Sequence, residues 1–421
     1  MPFLADLHVH SRHSRATSQD MSPEGLWRWA QLKGIGVVGT GDLTHPAWLA
    51  ELDEKLEPLG NGLFGLRKAF QAGAVPASCR SDVAFLLTGE ISCIYRKNDK
   101  TRKVHALVLM PDRPSAERFN AALAKVGNLQ ADGRPILGLD VKELLRMTLD
   151  ASPDAVLIPA HAWTPHFSVF GSQSGFDSLA ECFDDLTPHV RAIETGLSSD
   201  PLMNRRLSAL DGINLVSFSD AHSPAKLGRE ATIIDRSCSY RDIAGAIRTG
   251  QGLPGTIEFF PDEGKYHFDG HRACGVCLPP EETVRYDYRC PSCGGRLTVG
   301  VLHRVDALAD RMAPPDAERR AFVSLIPLAE IIAETLGCGV NTKKVNALYE
   351  ALLDGLGPEL AVLRDASPGD ISRLASPLVA EAVSRMRTGK VSVTPGYDGA
   401  YGRVRIFADA ERQAALFLPV G

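Results

Sequence analysis

Long apolar runs are missing from this sequence. No stretch approaches the ~18 uninterrupted apolar residues of a membrane helix, and MPFLADLHVH opens without a basic patch ahead of an apolar segment. Neither a membrane span nor a signal peptide is expected, so the protein is read as soluble and cytoplasmic, with no membrane partner. A surplus of one charge is also missing: 46 Lys and Arg stand against 51 Asp and Glu, a net charge of −5. That excludes a protein that coats nucleic acid by bulk charge, although a local basic groove remains compatible with it. Cysteine is scarce, nine in 421 residues, and Cys79, Cys93, Cys182, Cys238 and Cys338 are scattered. This argues against a disulfide framework and for a reducing compartment. The 44% hydrophobic and 23% charged composition describes an ordinary folded chain, long enough for about two or three domains.

Up to about residue 255 short apolar runs alternate with helical patterns. The runs are 3–9, 37–40, 84–88, 104–110, 155–159, 192–195 and 215–219. Each reads as a strand buried on both faces of a parallel sheet. Between them, Ser22-Pro23 opens a helix and Gly34 closes it, and 46–56, 114–126, 141–149, 200–210 and 240–248 read similarly. Seven strands alternating with helices predict an α/β fold closed into a barrel. Residues 256–270 read as a linker, followed by a cysteine-rich segment. Helices are expected at 317–336, 341–356 and 376–387, and a β-rich tail at 390–418. The predicted domains are 1–255, 256–297 and 298–421.

The polar residues sit at the ends of these apolar runs. His8 and His10 follow the first strand, two apart and so on one face. Asp42 ends the second, Glu90 the third, His161 the fifth and Glu194 the sixth, while Asp220 and His222 follow the seventh. His105 is irregular, lying near the start of its run. Side chains at the carboxyl ends of barrel strands converge on one mouth. So many imidazoles and carboxylates beside apolar strands are costly unless they hold cations, and nitrogen and carboxylate donors suit Zn, Mn or Fe. Cations a few ångströms apart activate water and clamp phosphate oxygens. Asp220, next to His222 on the last strand, is the candidate catalytic carboxylate. No lysine ends a strand, which disfavours an amidohydrolase. His13, His45 and His166 read as loop residues near the mouth, and His189, His267, His271 and His303 as structural.

A second centre is written in Cys274-Gly-Val-Cys277 and, twelve residues on, Cys290-Pro-Ser-Cys293. Paired Cys-x-x-Cys knuckles predict four thiolates around one structural Zn²⁺; a redox pair is the weaker alternative. Arg272, Arg285, Arg289, Arg296, Tyr286 and Tyr288 on this module could grip a phosphate backbone and stack on bases.

The set His8/His10, Glu90, His105, His161 and Asp220/His222 resembles the PHP superfamily, named for polymerase and histidinol phosphatase. The resemblance implies a distorted seven-stranded barrel holding two or three divalent ions (Zn, Mn, Mg or Fe) that hydrolyses phosphoesters, with Asp42 in the ligand set. Thr40-Gly41-Asp42-Leu43 stands where the superfamily has Thr-Asp-His, so Asp42 serves alone. The whole chain resembles one PHP branch, endonuclease Q, through 8–14 with Arg15-Ala16-Thr17-Ser18, Val38-Gly39-Thr40-Gly41-Asp42, Ser219-Asp220-Ala221-His222-Ser223, the cysteine module running into 297–311, and 395–402. That resemblance implies a metal-dependent endonuclease hydrolysing DNA 5′ to deaminated bases (uracil, hypoxanthine, xanthine) or abasic sites. A sliding clamp is carried as a candidate partner. Because a deaminated base differs only at its pairing edge, it must leave the stack to be read. Candidate pocket segments are 164–176, with His166 and Phe167, and 395–402. A PHP-type phosphomonoesterase of small metabolites is the runner-up, although it leaves the chain beyond the barrel without a purpose. A zinc-ribbon adaptor on a degenerate barrel is disfavoured by the complete ligand set.

Overall fold

The computed structural model describes residues 2–313 and 321–408. The strands of the first 258 residues are β1 (Phe3–Asp6), β2 (Val37–Gly39), β3 (Leu56–Pro58), β4 (Phe64–Leu66), β5 (Ala84–Lys97), β6 (Lys100–Met110), β7 (Ile136–Leu137), β8 (Val156–Pro159), β9 (Ala192–Glu194), β10 (Asn214–Val216), β11 (Ala231–Ile234) and β12 (Gly255–Glu258). After them come β13 (Asp269–His271), β14 (Val276–Leu278), β15 (Ala321–Ser324), β16 (Ser392–Thr394) and β17 (Arg403–Arg405). All seven apolar runs contain strands, and the fold is mixed α/β.

One eleven-stranded sheet runs β15-β12-β11-β1-β2-β5-β4-β3, with β6 joining β5 to β8 and β7 paired to β5. The parallel pair β9–β10 is separate. Single bonds carry the connection onward: Ala162 N–H donates to Glu194 O (2.9 Å) and His10 N–H to Ala221 O (3.0 Å). The regular ladders do not run continuously around a barrel. Alternation along β5 splits the core: Phe85 and Leu87 pack in one apolar cluster, Ala84 and Leu86 in the other. A strand buried on both faces has no solvent side to vary, and truncating a side chain such as Leu86 to Ala would cost about 2–5 kcal/mol.

The all-parallel expectation fails at β5 and β6. These form one long antiparallel hairpin, with Ser92 opposite His105 and Glu90 opposite Leu107. The turn Asn98-Asp99 has φ of 54° and 56° at its two residues, the left-handed pair a two-residue hairpin loop requires. Glu90 therefore sits in mid-strand rather than at a strand end. Because β6 runs back, the start of its apolar run lies beside Glu90, which accounts for the irregular placement of His105.

Helix boundaries follow their capping signals. Ser22 caps Pro23–Lys33 by accepting the Gly25 N–H, and Gly34 closes it at φ 86°. The expected helix at 317–336 is different: 317–320 lie outside the described residues, 321–324 form β15 parallel to β12, and the helix is Leu328–Leu336. Pro327 is its N-cap residue, since an interior proline would lack the N–H that the ladder needs. The region expected as 200–210 divides into the short helix Pro201–Asn204 and a 3₁₀ turn Ser208–Leu210. In the tail, β16 and β17 pair antiparallel, while 409–418 lie outside the described residues. The C-terminal helices dock on Pro23–Lys33 through buried Glu359, which accepts from Lys33 Nζ (2.5 Å), Tyr349 Oη (2.7 Å) and Leu328 N–H (3.1 Å). No helix among the described residues is long and apolar enough to cross a membrane.

The sheet interior carries a buried acid. Glu258 accepts from the hydroxyls of Thr256 (2.5 Å), Thr195 (3.0 Å) and Ser217 (3.1 Å). Burial pushes its carboxyl up to about 8, outweighing those bonds. A carboxyl raised on folding stabilises the native state most below its unfolded value near 4.5 and loses that contribution as pH rises through about 8. Thermal melts of the wild type should therefore show stability falling between those pH values, by at most about 1.4 kcal/mol per pH unit. Glu258→Gln should flatten the profile; an unchanged profile would show that Glu258 is ionised in the fold.

Candidate metal centre

Beyond β1 the chain stays extended, so His8 and His10 point the same way while Leu7 and Val9 enter the core. Asp6 anchors this segment by accepting the N–H groups of Ser219 and Gly228, both at 2.9 Å, and burial raises its carboxyl to about 6. His8 Nδ1 is held by Glu194 at 2.9 and 3.0 Å, and Glu194 also accepts the His161 N–H at 2.7 Å. His10 Nδ1 is held by Asp42 at 3.1 Å. In each ring the other nitrogen is left to face inward. His8 Nε2 lies 3.5 Å from Glu90 and 3.7 Å from Asp220, and His10 Nε2 lies 3.3 Å from Glu90 and 3.0 Å from Asp220.

Glu90 joins two donor groups. One oxygen faces His8 and His10; the other lies 2.7 Å from His105 Nδ1 and 3.2 Å from His161 Nε2. His8, His10, Glu90 and Asp220 form one group and Glu90, His105 and His161 the second, each with its donor atoms within 4.8 Å of one another. The residues fit cations on a specific observation: His8 Nε2 is fully buried and has no hydrogen-bond partner. An orphaned imidazole nitrogen aimed at two carboxylates is a costly arrangement without a cation, and its second nitrogen is oriented by a carboxylate as metal-binding histidines are.

Without cations, burial opposes charge on His8 and His10, yet the surrounding carboxylates hold both well above their ordinary values. Burial takes His105 down to about 4 despite Glu90, leaving it neutral, the ligand form of imidazole. Burial likewise opposes ionisation of Glu90 and Asp220, but the neighbouring histidines, and Arg134 at Glu90, keep both lowered. The backbone is strained where it turns into the site: φ is 47° at Asp42, 29° at His161 and 47° at Asp220, a left-handed region such side chains occupy at a cost. Gly196 is required beside His161, since a Cβ there would stand 2.6 Å from His161 Cβ.

Two expected ligands fall outside both groups. Asp42 sits behind His10, saturated by Ser11 N–H (2.7 Å), Ser11 Oγ (2.6 Å) and Ser14 Oγ (2.8 Å) as well as the ring. In this position it holds the His10 ring from behind. His222 is outside both groups, although its Nδ1 lies 3.6 Å from an Asp220 carboxylate oxygen. That Nδ1 also lies 2.9 Å from the Asp220 carbonyl, and the ring packs at a tilt of 48°, 4.5 Å from that of His10. Glu194, a candidate for a supporting or substrate-binding place, stands behind His8 Nδ1 and outside both groups. Phe167 packs its ring 4.7 Å from that of His105 and accepts the His105 N–H, while His166 is exposed. In the rest of that loop, Phe170 and Phe176 are core residues, pinned by Arg304 on their carbonyls. His45 caps the helix Pro46–Lys55 and stacks 4.3 Å from His13. Arg134, which the sequence reading missed, donates to Glu90 at 3.0 Å. A cavity of about 1270 Å³ opens beside Asp220, His161 and His222 and extends to Tyr266, Glu334 and Tyr401.

The cysteine module assembles differently from its spacing. Cys274, Cys290 and Cys293 converge with His271, not with Cys277. In the β13–β14 ladder His271 pairs with Val276 and Gly270 with Cys277. Directly opposed residues share a face and successive ones alternate, so Cys277 lies on the face away from His271. Burial raises the Cys290 thiol, but the N–H groups of Cys293 and Ser292 and the His271 ring outweigh it and bring it to about 7, favouring the thiolate that binds metal.

An α/β protein with a buried histidine–carboxylate cation site is thus defined. Residues 327–390 match the MJ0043 C-terminal domain family. The chain is 32% identical over 293 residues to the protein MJ0043 of Methanocaldococcus jannaschii, covering 68% of this chain and about a third of that one (35%). It is 29% identical over 418 residues to YqxK of Bacillus subtilis, covering 95% and 98% of the two. Among solved structures it matches the lesion-specific endonuclease PfuEndoQ of Pyrococcus furiosus with a TM-score of 0.84 and 32% identity, over 100% of this chain and 98% of that one. Endonuclease Q in complex with a 27-mer duplex bearing an abasic lesion matches at 0.85 and 32%, over 100% and 99%. The chain belongs to the endonuclease Q family.

Two outcomes are expected from metal analysis. Glu194→Gln should lower cation affinity at the buried site roughly 10- to 100-fold, the usual cost of losing a ligand's orienting partner; unchanged affinity would remove Glu194 from the site. At the cysteine module, zinc supplied to the protein should no longer bind in His271→Ala and should still bind in Cys277→Ser. The reverse result would restore the four-cysteine set.

Proposed function

We propose that the chain is a metal-dependent DNA repair endonuclease that hydrolyses the phosphodiester 5′ to a deaminated base or an abasic site. The observation that carries this reading is the full-length match to endonuclease Q bound to an abasic duplex, over a chain with the buried donor groups described above. In this reading β1, β2, β5, β6, β8, β9 and β10 make up a distorted seven-stranded barrel within 1–255, followed by a linker and zinc module at 256–297 and a helical part at 298–421.

His8, His10, Glu90, Asp220, His105 and His161 would hold two divalent cations, which when bound would supply Lewis-acid activation of water and neutralise phosphate charge. Glu194 and Asp42 keep His8 and His10 in ligand orientation. Asp220 is the catalytic carboxylate: at 28% exposed it is the one carboxylate of the two groups open to the mouth, where substrate arrives. The cavity beside it exceeds the ~300–1,000 Å³ of small-molecule pockets, which favours an extruded nucleotide with its flanking backbone over a small phosphomonoester. His271, Cys274, Cys290 and Cys293 would hold a structural zinc ion, in a module that presents the exposed Tyr286 and Tyr288 for contact with DNA. A sliding clamp remains a candidate partner within this reading.

With Mg²⁺, Mn²⁺ or Zn²⁺ supplied, a duplex carrying one deoxyinosine, deoxyuridine or abasic site should be nicked on the 5′ side of that nucleotide, and an undamaged duplex left intact. Chelation should abolish the nick, and raised salt should weaken it steeply through loss of phosphate contacts. Asp220→Asn should remove nearly all cleavage while keeping most affinity for the duplex. Equal cutting of damaged and normal DNA would reduce the reading to a general nuclease. Hydrolysis of a sugar phosphate with no DNA cleavage would establish the phosphomonoesterase.

A further inference from the structure

Arg134 lies on the loop between the helix Arg113–Leu123 and β7, and the fold fixes that loop on both sides of it. Gly133 N–H donates to His13 O (3.0 Å), and Ser92 N–H donates to Pro135 O (3.0 Å). Arg134 N–H itself donates to Asp132 (3.1 Å). Gly133 lies so close to Asp42 that a Cβ would stand 2.2 Å from its carboxylate oxygen. The backbone is thus set at the wall of the metal centre, and the guanidinium reaches Glu90, the carboxylate both donor groups share.

Exposure separates this residue from the rest of the wall. His8, His10 and Glu90 side chains are 0% exposed, whereas Arg134 is 27%, Asp220 28% and His222 32% exposed. Of these three partly exposed side chains, Arg134 is the one that carries a permanent positive charge. A counter-ion to Glu90 needs only one N–H, and Glu90 already faces four imidazoles. A planar fork with further donors matches two oxygens of a phosphate. Two divalent cations together with Arg134 would exceed the carboxylates Glu90, Asp220, Asp42 and Glu194 by one positive charge, the complement of a single phosphodiester.

We propose that Arg134 is a phosphate-binding residue of this site, engaging the non-bridging oxygens of the scissile phosphodiester from the solvent side. The proposal deepens the endonuclease reading and rests on it for the identity of the diester; the capture of a phosphate oxyanion stands by itself.

The test uses Mn²⁺-loaded full-length protein and inorganic phosphate as the probe. Calorimetric titration should show phosphate binding weakened roughly 10- to 100-fold in Arg134→Ala, the range of one charge-assisted hydrogen bond. Arg134→Lys should retain part of the affinity, with manganese per chain unchanged in both. Arg134→Gln serves if the alanine variant does not fold. Equal phosphate affinity in all proteins overturns the proposal, as does no phosphate binding by the wild type. A loss of manganese that parallels the loss of phosphate binding also overturns it, since Arg134 would then only support Glu90. Arg134-dependent phosphate binding in a protein that fails to nick damaged duplex would leave this inference standing and remove the endonuclease reading.

Discussion

Everything at the centre of this molecule depends on one carboxylate doing two things at once. Glu90 faces two imidazoles with each of its oxygens, and Arg134 approaches from a fifth direction. Such crowding is tolerable in a buried site only if the charges are strictly paired. The surrounding structure supplies that pairing in layers. Glu194 and Asp42 stand behind His8 and His10, and serine hydroxyls stand behind Asp42. Charge alternates outward from Glu90, so removing a member of one layer leaves an uncompensated group in the next.

The sheet makes this possible by bringing distant segments to one point. His8 and Glu194 are 186 residues apart, and His10 and Asp220 are 210 apart. No local propensity creates such contacts. They follow from strands buried on both faces, which leave the chain free to be polar only where it exits the sheet. The exception is β5, where a glutamate is placed in mid-strand and the antiparallel return of β6 delivers His105 to it.

Much of this was legible in the sequence. The apolar runs located the strands, and the position of His8, His10, His161, Glu194 and Asp220 just beyond them announced a common mouth. Three things were not legible. The hairpin was hidden because apolar runs carry no sign of direction, although Asn98-Asp99 was a turn signal. Which carboxylate joins a donor group was hidden because Asp42 and Asp220 look alike in sequence; what separates them is the ring of serine donors around Asp42. His271 was passed over because cysteine spacing draws attention to cysteines, whereas strand register decides which of them face the same way.

The β5–β6 hairpin is also a ruler. Eleven consecutive pairs run from Leu87–Met110 to Lys97–Lys100, and its two-residue tip leaves no slack to absorb an error in length. Sheet side chains repeat every two residues, so gaining or losing a single residue between Glu90 and the tip would rotate Glu90 to the outer face, and the same change in β6 would rotate His105. A substitution along this ribbon disturbs one position, whereas a change in count carries every residue beyond it to the opposite face. Parity, rather than identity, is what the ribbon's length preserves.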